Sequence, residues 1–187
     1  FVSYVVSNYP AKHYALVLWD HGGGRDGVCW DYTNAGDNIN LHELRNALKT
    51  VHDELGIKID VLGFDACLMG MIEVAYGVRD LVDYVVFSQE VEPGDGWPYD
   101  DILYELVSDP LMPPHELATL MAQKYVESYN GGSQGYWSYA TQSAVNVSAL
   151  IQKVFTKLDR LVGELLRYYS NYRSAIEDAI EDAESFY

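Results

Sequence analysis

Three apolar runs alternate with stretches of helical spacing along the first half of the chain. Leu16-Val17-Leu18-Trp19, Val61-Leu62-Gly63-Phe64 and Tyr84-Val85-Val86-Phe87 are short and bounded by polar or glycine-rich residues. That pattern predicts strands over 14–20, 59–64 and 84–88, buried on both faces. Between the first two, Leu41, Leu44, Leu48, Val51 and Leu55 recur at helical spacing. Asn40 with Glu43 three residues on forms a capping box, and Gly56 supplies a stop, so a helix is predicted over 41–55. A shorter helix over 70–80 runs through Met71, Val74, Ala75 and Val78. Helices over 99–108 and 114–129 follow, the second opened by Pro113-Pro114. A fourth strand falls within 137–146, then helices over 148–169 and from about 172 onward. The alternation predicts an α/β fold, a mostly parallel sheet with helices on both faces. A single domain spans 1–187, with 148–187 as its helical C-terminal continuation.

A right-handed crossover makes the first two strands parallel neighbours, and both run out into reactive side chains. The first ends in Asp20-His21-Gly22, the second in Asp65-Ala66-Cys67. The carboxyl edge of an open α/β sheet is where ligands bind. A thiol beside an imidazole is equipped for nucleophilic attack on an amide, the imidazole moving the protons. The main-chain N–H groups of Gly22 and Cys67 are candidate donors to the oxyanion. The separation of His21 from Cys67 is close to the roughly 50 residues found in caspases. The plainer alternative is a small apolar filler at Cys67 and a turn residue at His21. Residues 21–40 form a long glycine-rich connection, a length associated with function or disorder.

Charge narrows the partners. The chain has 28 acidic and 12 basic residues, a formal net charge of −16, which disfavours nucleic acid and suits cationic substrates. Part of the excess, Glu177-Asp178, Glu181-Asp182 and Glu184, reads as a solvated helix face. No apolar run is long enough for a membrane span. Cys29 and Cys67 are the only cysteines. They allow one disulfide, although a nucleophilic Cys67 must stay free. The five histidines show no His-Glu-x-x-His, so no metal site is expected. The first residues, Phe1-Val2-Ser3-Tyr4, lack an initiator Met and a signal-peptide pattern and read as a cut end.

Two competing functions follow from the letters. Gly131-Gly132-Ser133-Gln134-Gly135 fits the nucleophile elbow of an α/β-hydrolase esterase, and His21-Gly22-Gly23-Gly24 resembles a lipase oxyanion loop. An elbow needs a strand before its serine and a histidine later in the chain, yet a helical segment precedes Ser133 and no histidine follows His115. The glycines read as a turn. A non-catalytic binding module on the same fold is the other alternative.

The blocks Leu18-Trp19-Asp20-His21-Gly22-Gly23-Gly24, Asp60-Val61-Leu62-Gly63-Phe64-Asp65-Ala66-Cys67-Leu68-Met69, Glu73-Val74-Ala75-Tyr76, Ser88-Gln89-Glu90 and Pro93-Gly94-Asp95-Gly96-Trp97-Pro98-Tyr99 resemble the clostripain family of cysteine peptidases, in the clan of caspases, legumains and gingipains. The likeness is good over about 14–105 and weaker over 110–187. It implies a caspase-like α/β/α sandwich, truncated at the N-terminus because members carry earlier strands and only Phe1–Ser7 stands there. It implies a secreted or cell-surface endopeptidase that takes proteins or peptides and cuts after Arg or Lys. His21 matches the catalytic histidine and Cys67 the nucleophile, while Asp65 and Asp95 match the acids of the specificity pocket. On the residues alone, Asp65 reads as a helix cap and Asp95 as an Asp-Gly turn. No cofactor is required. Calcium serves some members, but no loop here has EF-hand spacing, so calcium stays open, as does the oligomeric state. Members can cut themselves in the loop after the histidine; here that loop offers only Arg25, which argues against it.

Overall fold

The computed structural model describes residues 1–183, 185 and 186. Its centre is a four-stranded sheet of β1 (Ala15–Trp19), β4 (Ile59–Asp65), β5 (Val82–Phe87) and β8 (Ser143–Asn146), in the order β1-β4-β5-β8. β1, β4 and β5 are parallel, and β8 pairs antiparallel with β5. This is the expected mostly parallel α/β architecture.

The period-two alternation of strands sorts side chains into two cores. Leu62, Phe64, Val85 and Phe87 pack to one side with Leu44 and Leu48 of α2 (Leu41–Leu55) and Val74 of α3 (Ile72–Gly77). Val61 and Val86 face the other side. There they meet Trp97, Ile102 of α4 (Tyr99–Ser108), and Leu117, Met121 and Tyr125 of α5 (Pro114–Tyr129). Helices thus cover both faces. At Gly63 an added Cβ would lie 2.9 Å from the Trp97 ring, so the indole fills the place of a β4 side chain. α2 has its capping box: Asn40 Oδ1 accepts from the N–H groups of His42 and Glu43, and the Glu43 carboxylate accepts from Asn40 N–H. Gly56 ends it in the left-handed conformation.

Several elements differ from the pattern-based expectation. Val2–Asn8, for which the pattern predicted no element, is a helix, α1, with Val2 packed on the core. The 21–40 connection is built rather than open. It holds a two-stranded antiparallel ribbon, β2 (Val28–Asp31) and β3 (Asp37–Ile39), tied back by a bridge between Gly22 and Val28. Within 137–146 only the last four residues are strand, because only they meet β5. Gly131–Gly135 is the tip of a hairpin, Ser133-Gln134 turning between the short strands β6 (Asn130–Gly132) and β7 (Gly135–Tyr136). Ser133 therefore follows α5 and its hairpin strand, is exposed, and donates to Asp101 at 3.3 Å. The C-terminal continuation is helical: α6 (Val147–Leu150), a π-helical turn Ile151–Phe155, and α7 (Thr156–Glu181), kinked at Tyr172. Asp178, Glu181 and Asp182 are exposed and Glu177 is half-buried, while Glu184 lies outside the described residues. No helix among the described residues is long and apolar enough to cross a membrane.

Candidate active site

The register of the sheet sets the site. Trp19, the last residue of β1, stands beside Asp65, the last of β4, and Asp20 N–H donates to the Asp65 carbonyl at 3.4 Å. Carried two residues further, that register brings His21 level with Cys67. Both line one cleft of about 250 Å³ with Trp19, Asp20, Asp65, Ala66, Glu92, Pro93, Gly94 and Gly96. A larger recess, about 630 Å³, opens at the opposite end of the sheet beneath α4, with no cysteine in its lining.

Cys67 sits on a tight turn. Leu68 follows it at φ +63°, a left-handed conformation that costs a non-glycine residue about 1–2 kcal/mol. The strain is held by two ties to the loop after β5: Leu68 N–H to the Glu90 carbonyl at 3.1 Å and Gly70 N–H to the Ser88 carbonyl at 2.6 Å. The thiol itself contacts that loop. Glu92 N–H donates to Sγ at 3.2 Å, and Sγ lies 3.7 Å from the Glu92 carbonyl, its acceptor. The two contacts hold the sulfur against the loop after β5.

His21 is exposed, its ring edge-on to Tyr32 at 5.6 Å between centroids. Asp20 and the ribbon fix its main chain: His21 N–H donates to Asp20 Oδ1 at 2.7 Å, and its carbonyl accepts from Cys29 N–H at 2.9 Å. No hydrogen bond joins the imidazole to Sγ among the described residues, a loose arrangement common in unliganded sites. The N–H groups of Gly22 and Cys67 meet no acceptor among the described residues, which leaves both for a ligand oxygen. Glycine is required at 22 by close approach, since a Cβ there would stand 2.2 Å from the Cys67 carbonyl oxygen. Cys29 is a free thiol on the ribbon, pushed up by burial and by Asp20. Cys67 is likewise free.

The pocket beside the thiol is acidic, though its membership differs from the pair expected. Asp65 is buried, and its Oδ2 accepts from Trp97 N–H at 3.2 Å and Tyr99 O–H at 2.7 Å. Gly96, at φ +64°, backs this carboxylate so closely that a Cβ would lie 2.9 Å from both its oxygens. Asp95 is exposed on the turn and is not in the cleft wall. Glu92 stands there instead. Its carboxyl faces Asp65, accepts from Trp97 Nε1–H at 3.1 Å and from Gln142 Nε2–H at 3.3 Å, and is pushed up to about 9 by burial, then by Asp65. Glu92 was missed from sequence because it reads as the residue opening a Pro-Gly turn. The acid itself, directly before the block that opens at Pro93, was the available signal. No cluster of three or more metal-ligating side chains occurs among the described residues.

A cysteine and a histidine at the carboxyl ends of adjacent parallel strands, with helices on both faces, define the type of site and fold used by caspase-like cysteine peptidases. The chain belongs to the Clostripain family, whose profile matches residues 1–186. Clostripain of Hathewaya histolytica is 37% identical over 118 residues, covering 54% of this chain and 22% of that protein. A secreted C11 cysteine protease from Bacteroides thetaiotaomicron, solved with an irreversible peptide inhibitor, superposes with a TM-score of 0.62 at 28% identity over 79% of this chain. An inactive zymogen C11 protease from Parabacteroides distasonis gives 0.58 at 26% identity over 81%. The chain spans 43% and 39% of those two chains, less than half of either.

Proposed function

We propose that this chain carries the catalytic core of a secreted cysteine endopeptidase that cleaves peptides after Arg or Lys. The observation that supports this most is a single cleft lined by Cys67, His21 and a buried acid, Asp65, in a chain of the Clostripain family. The Cys67 thiolate attacks the scissile carbonyl, and the oxyanion is held by the free N–H groups of Gly22 and Cys67. His21 takes the thiol proton and gives it to the leaving amine. Water then cleaves the thioester, releasing the acid and restoring the thiol. The basic side chain before the cut lies against Asp65, a charge-assisted contact in a partly desolvated pocket. Asp95, on the rim, adds only long-range attraction.

Fluorogenic peptides ending in Arg, Lys, Asp or Leu before the reporter provide the test. Cleavage of the basic peptides, abolished by Cys67→Ala, is expected. Equal or better turnover of the Leu or Asp peptide would remove the specificity reading, and activity surviving Cys67→Ala would remove the mechanism.

A further inference from the structure

Cleaving after a basic residue needs only one pocket acid, yet this cleft is lined by two carboxyl residues that share Trp97 as a hydrogen-bond donor. Asp65 comes from the end of β4, and Glu92 from the loop after β5. Both are in the wall of the same cleft, and each is engaged by donors from the α4 side: Trp97 bonds both, Tyr99 bonds Asp65. A buried and a half-buried carboxyl that share one donor residue repel each other when both are charged and no counterion stands with them. We propose that Asp65 and Glu92 form a carboxyl pair that holds one proton in the empty pocket and releases it to solvent when a cationic side chain enters. The proposal rests on the basic-side-chain reading above and adds a second specificity-determining residue to it.

The surroundings support the proton and its release. The groups facing Glu92 are Asp65 on β4, Cys67 just beyond it, Trp97 and Tyr99 at the start of α4, Tyr125 and Tyr129 on α5, and Gln142 ahead of β8. None of these is a cation, so the empty pocket has nothing to neutralise a second negative charge. The proton consequently resides on Glu92, whose carboxyl is held far above its usual range by burial and by Asp65. Acceptors also stand idle around the pair. The Tyr125 side chain is completely buried, and its hydroxyl has no hydrogen-bond partner. Its own ionisation is opposed by burial, then by Glu92, with Asp65 and Cys67 adding to it. The buried Gln142 Oε1 is likewise unpartnered, although its Nε2 bonds Glu92. Buried polar atoms are normally satisfied. A cationic side chain entering the cleft brings the positive charge and N–H donors that these surroundings lack. When it binds, the Glu92 O–H bond breaks, the proton passes to water, and the carboxylate is left against the cation.

The main chain of Glu92 ties this event to the nucleophile, since the same residue contacts Cys67 Sγ through its N–H and carbonyl. Glu92 thus belongs to both the specificity pocket and the thiol's surroundings.

The test is proton counting with benzamidine, a cation that cannot acylate the thiol. Calorimetry at pH 7 in buffers of different ionisation enthalpy should show about one proton released per molecule bound, with affinity rising about tenfold per pH unit between 6 and 8. Glu92→Gln, nearly isosteric, should bind with no proton release and a flat pH dependence. It should also raise KM for Arg peptides roughly tenfold while kcat stays within about threefold. Benzamidine binding without proton release by the unaltered protein overturns the proposal, as does an unchanged KM and pH profile in Glu92→Gln. Failure of the unaltered protein to bind benzamidine or to cleave basic peptides would instead bring down the specificity reading on which it rests.

Discussion

Glu92 approaches the Cys67 sulfur with both ends of its peptide, the N–H at 3.2 Å and the carbonyl at 3.7 Å. Cys67 also lines the open cleft, within reach of a small reagent. Cys29 has a different environment, half-buried beside Asp20, which raises its thiol. Iodoacetamide at neutral pH should therefore alkylate Cys67 well before Cys29. Peptide mapping over time checks the order, and faster labelling of Cys29 would contradict it.

Gly22 tolerates no side chain. A methyl at this position would press on the Cys67 carbonyl at 2.2 Å, a backbone atom that cannot rotate away. Gly22→Ala should lower kcat/KM for an Arg peptide at least about a hundredfold. Circular dichroism should remain near that of the unaltered protein, because the clash is confined to the cleft. Retention of more than a tenth of the activity would show that the cleft yields.

Tyr99 braces the pocket acid through its O–H to Asp65 at 2.7 Å. Tyr99→Phe leaves that oxygen with one donor fewer, a loss of about 1–2 kcal/mol. KM for Arg peptides should rise several-fold, and Asp65→Asn should depress their turnover far more. If Asp65→Asn leaves Arg and Leu peptides in unchanged ratio, the basic side chain is bound elsewhere.

The raised Glu92 carboxyl has a stability consequence. The folded protein retains this proton up to about pH 9, whereas an ordinary glutamate releases it near 4.5. The folded state therefore binds more protons, so this group's stabilising contribution is full below 4.5 and is lost as pH rises toward about 9. The Tm of the unliganded protein should fall between pH 6 and 9, and Glu92→Gln should flatten that fall. Parallel curves for the two proteins would count against the assignment.

How far the sequence could be read depended on range. α2 was legible to the residue because Asn40, Glu43 and Gly56 are local signals. α4 and α5 were legible for similar reasons, their starts marked by prolines. The ends of two predicted parallel strands were enough to put His21 and Cys67 at one edge of the sheet. The β2–β3 ribbon was not legible. It has four and three residues, an irregular register, and its anchor is the Gly22–Val28 bridge. β8 was found but drawn too long, since its extent is set by where β5 ends rather than by its own residues. Glu92 was invisible for the same reason: its partners Asp65, Trp97 and Gln142 come from three separate segments. The exposed placement of Asp95 followed from the path of the turn, which points Gly96 rather than Asp95 at Asp65.

The indole of Trp97 fills the gap left by Gly63, and its N–H reaches Glu92 at 3.1 Å. A residue packed in the core beneath the sheet thus also touches the wall of the cleft. A side chain introduced at Gly63, far from any bond being cut, would lever the ring outward and carry the Glu92 carboxyl with it. Variants at that buried position should therefore be recognised by altered preference among substrates as well as by a lower melting temperature, and a screen for thermal stability alone would misfile them.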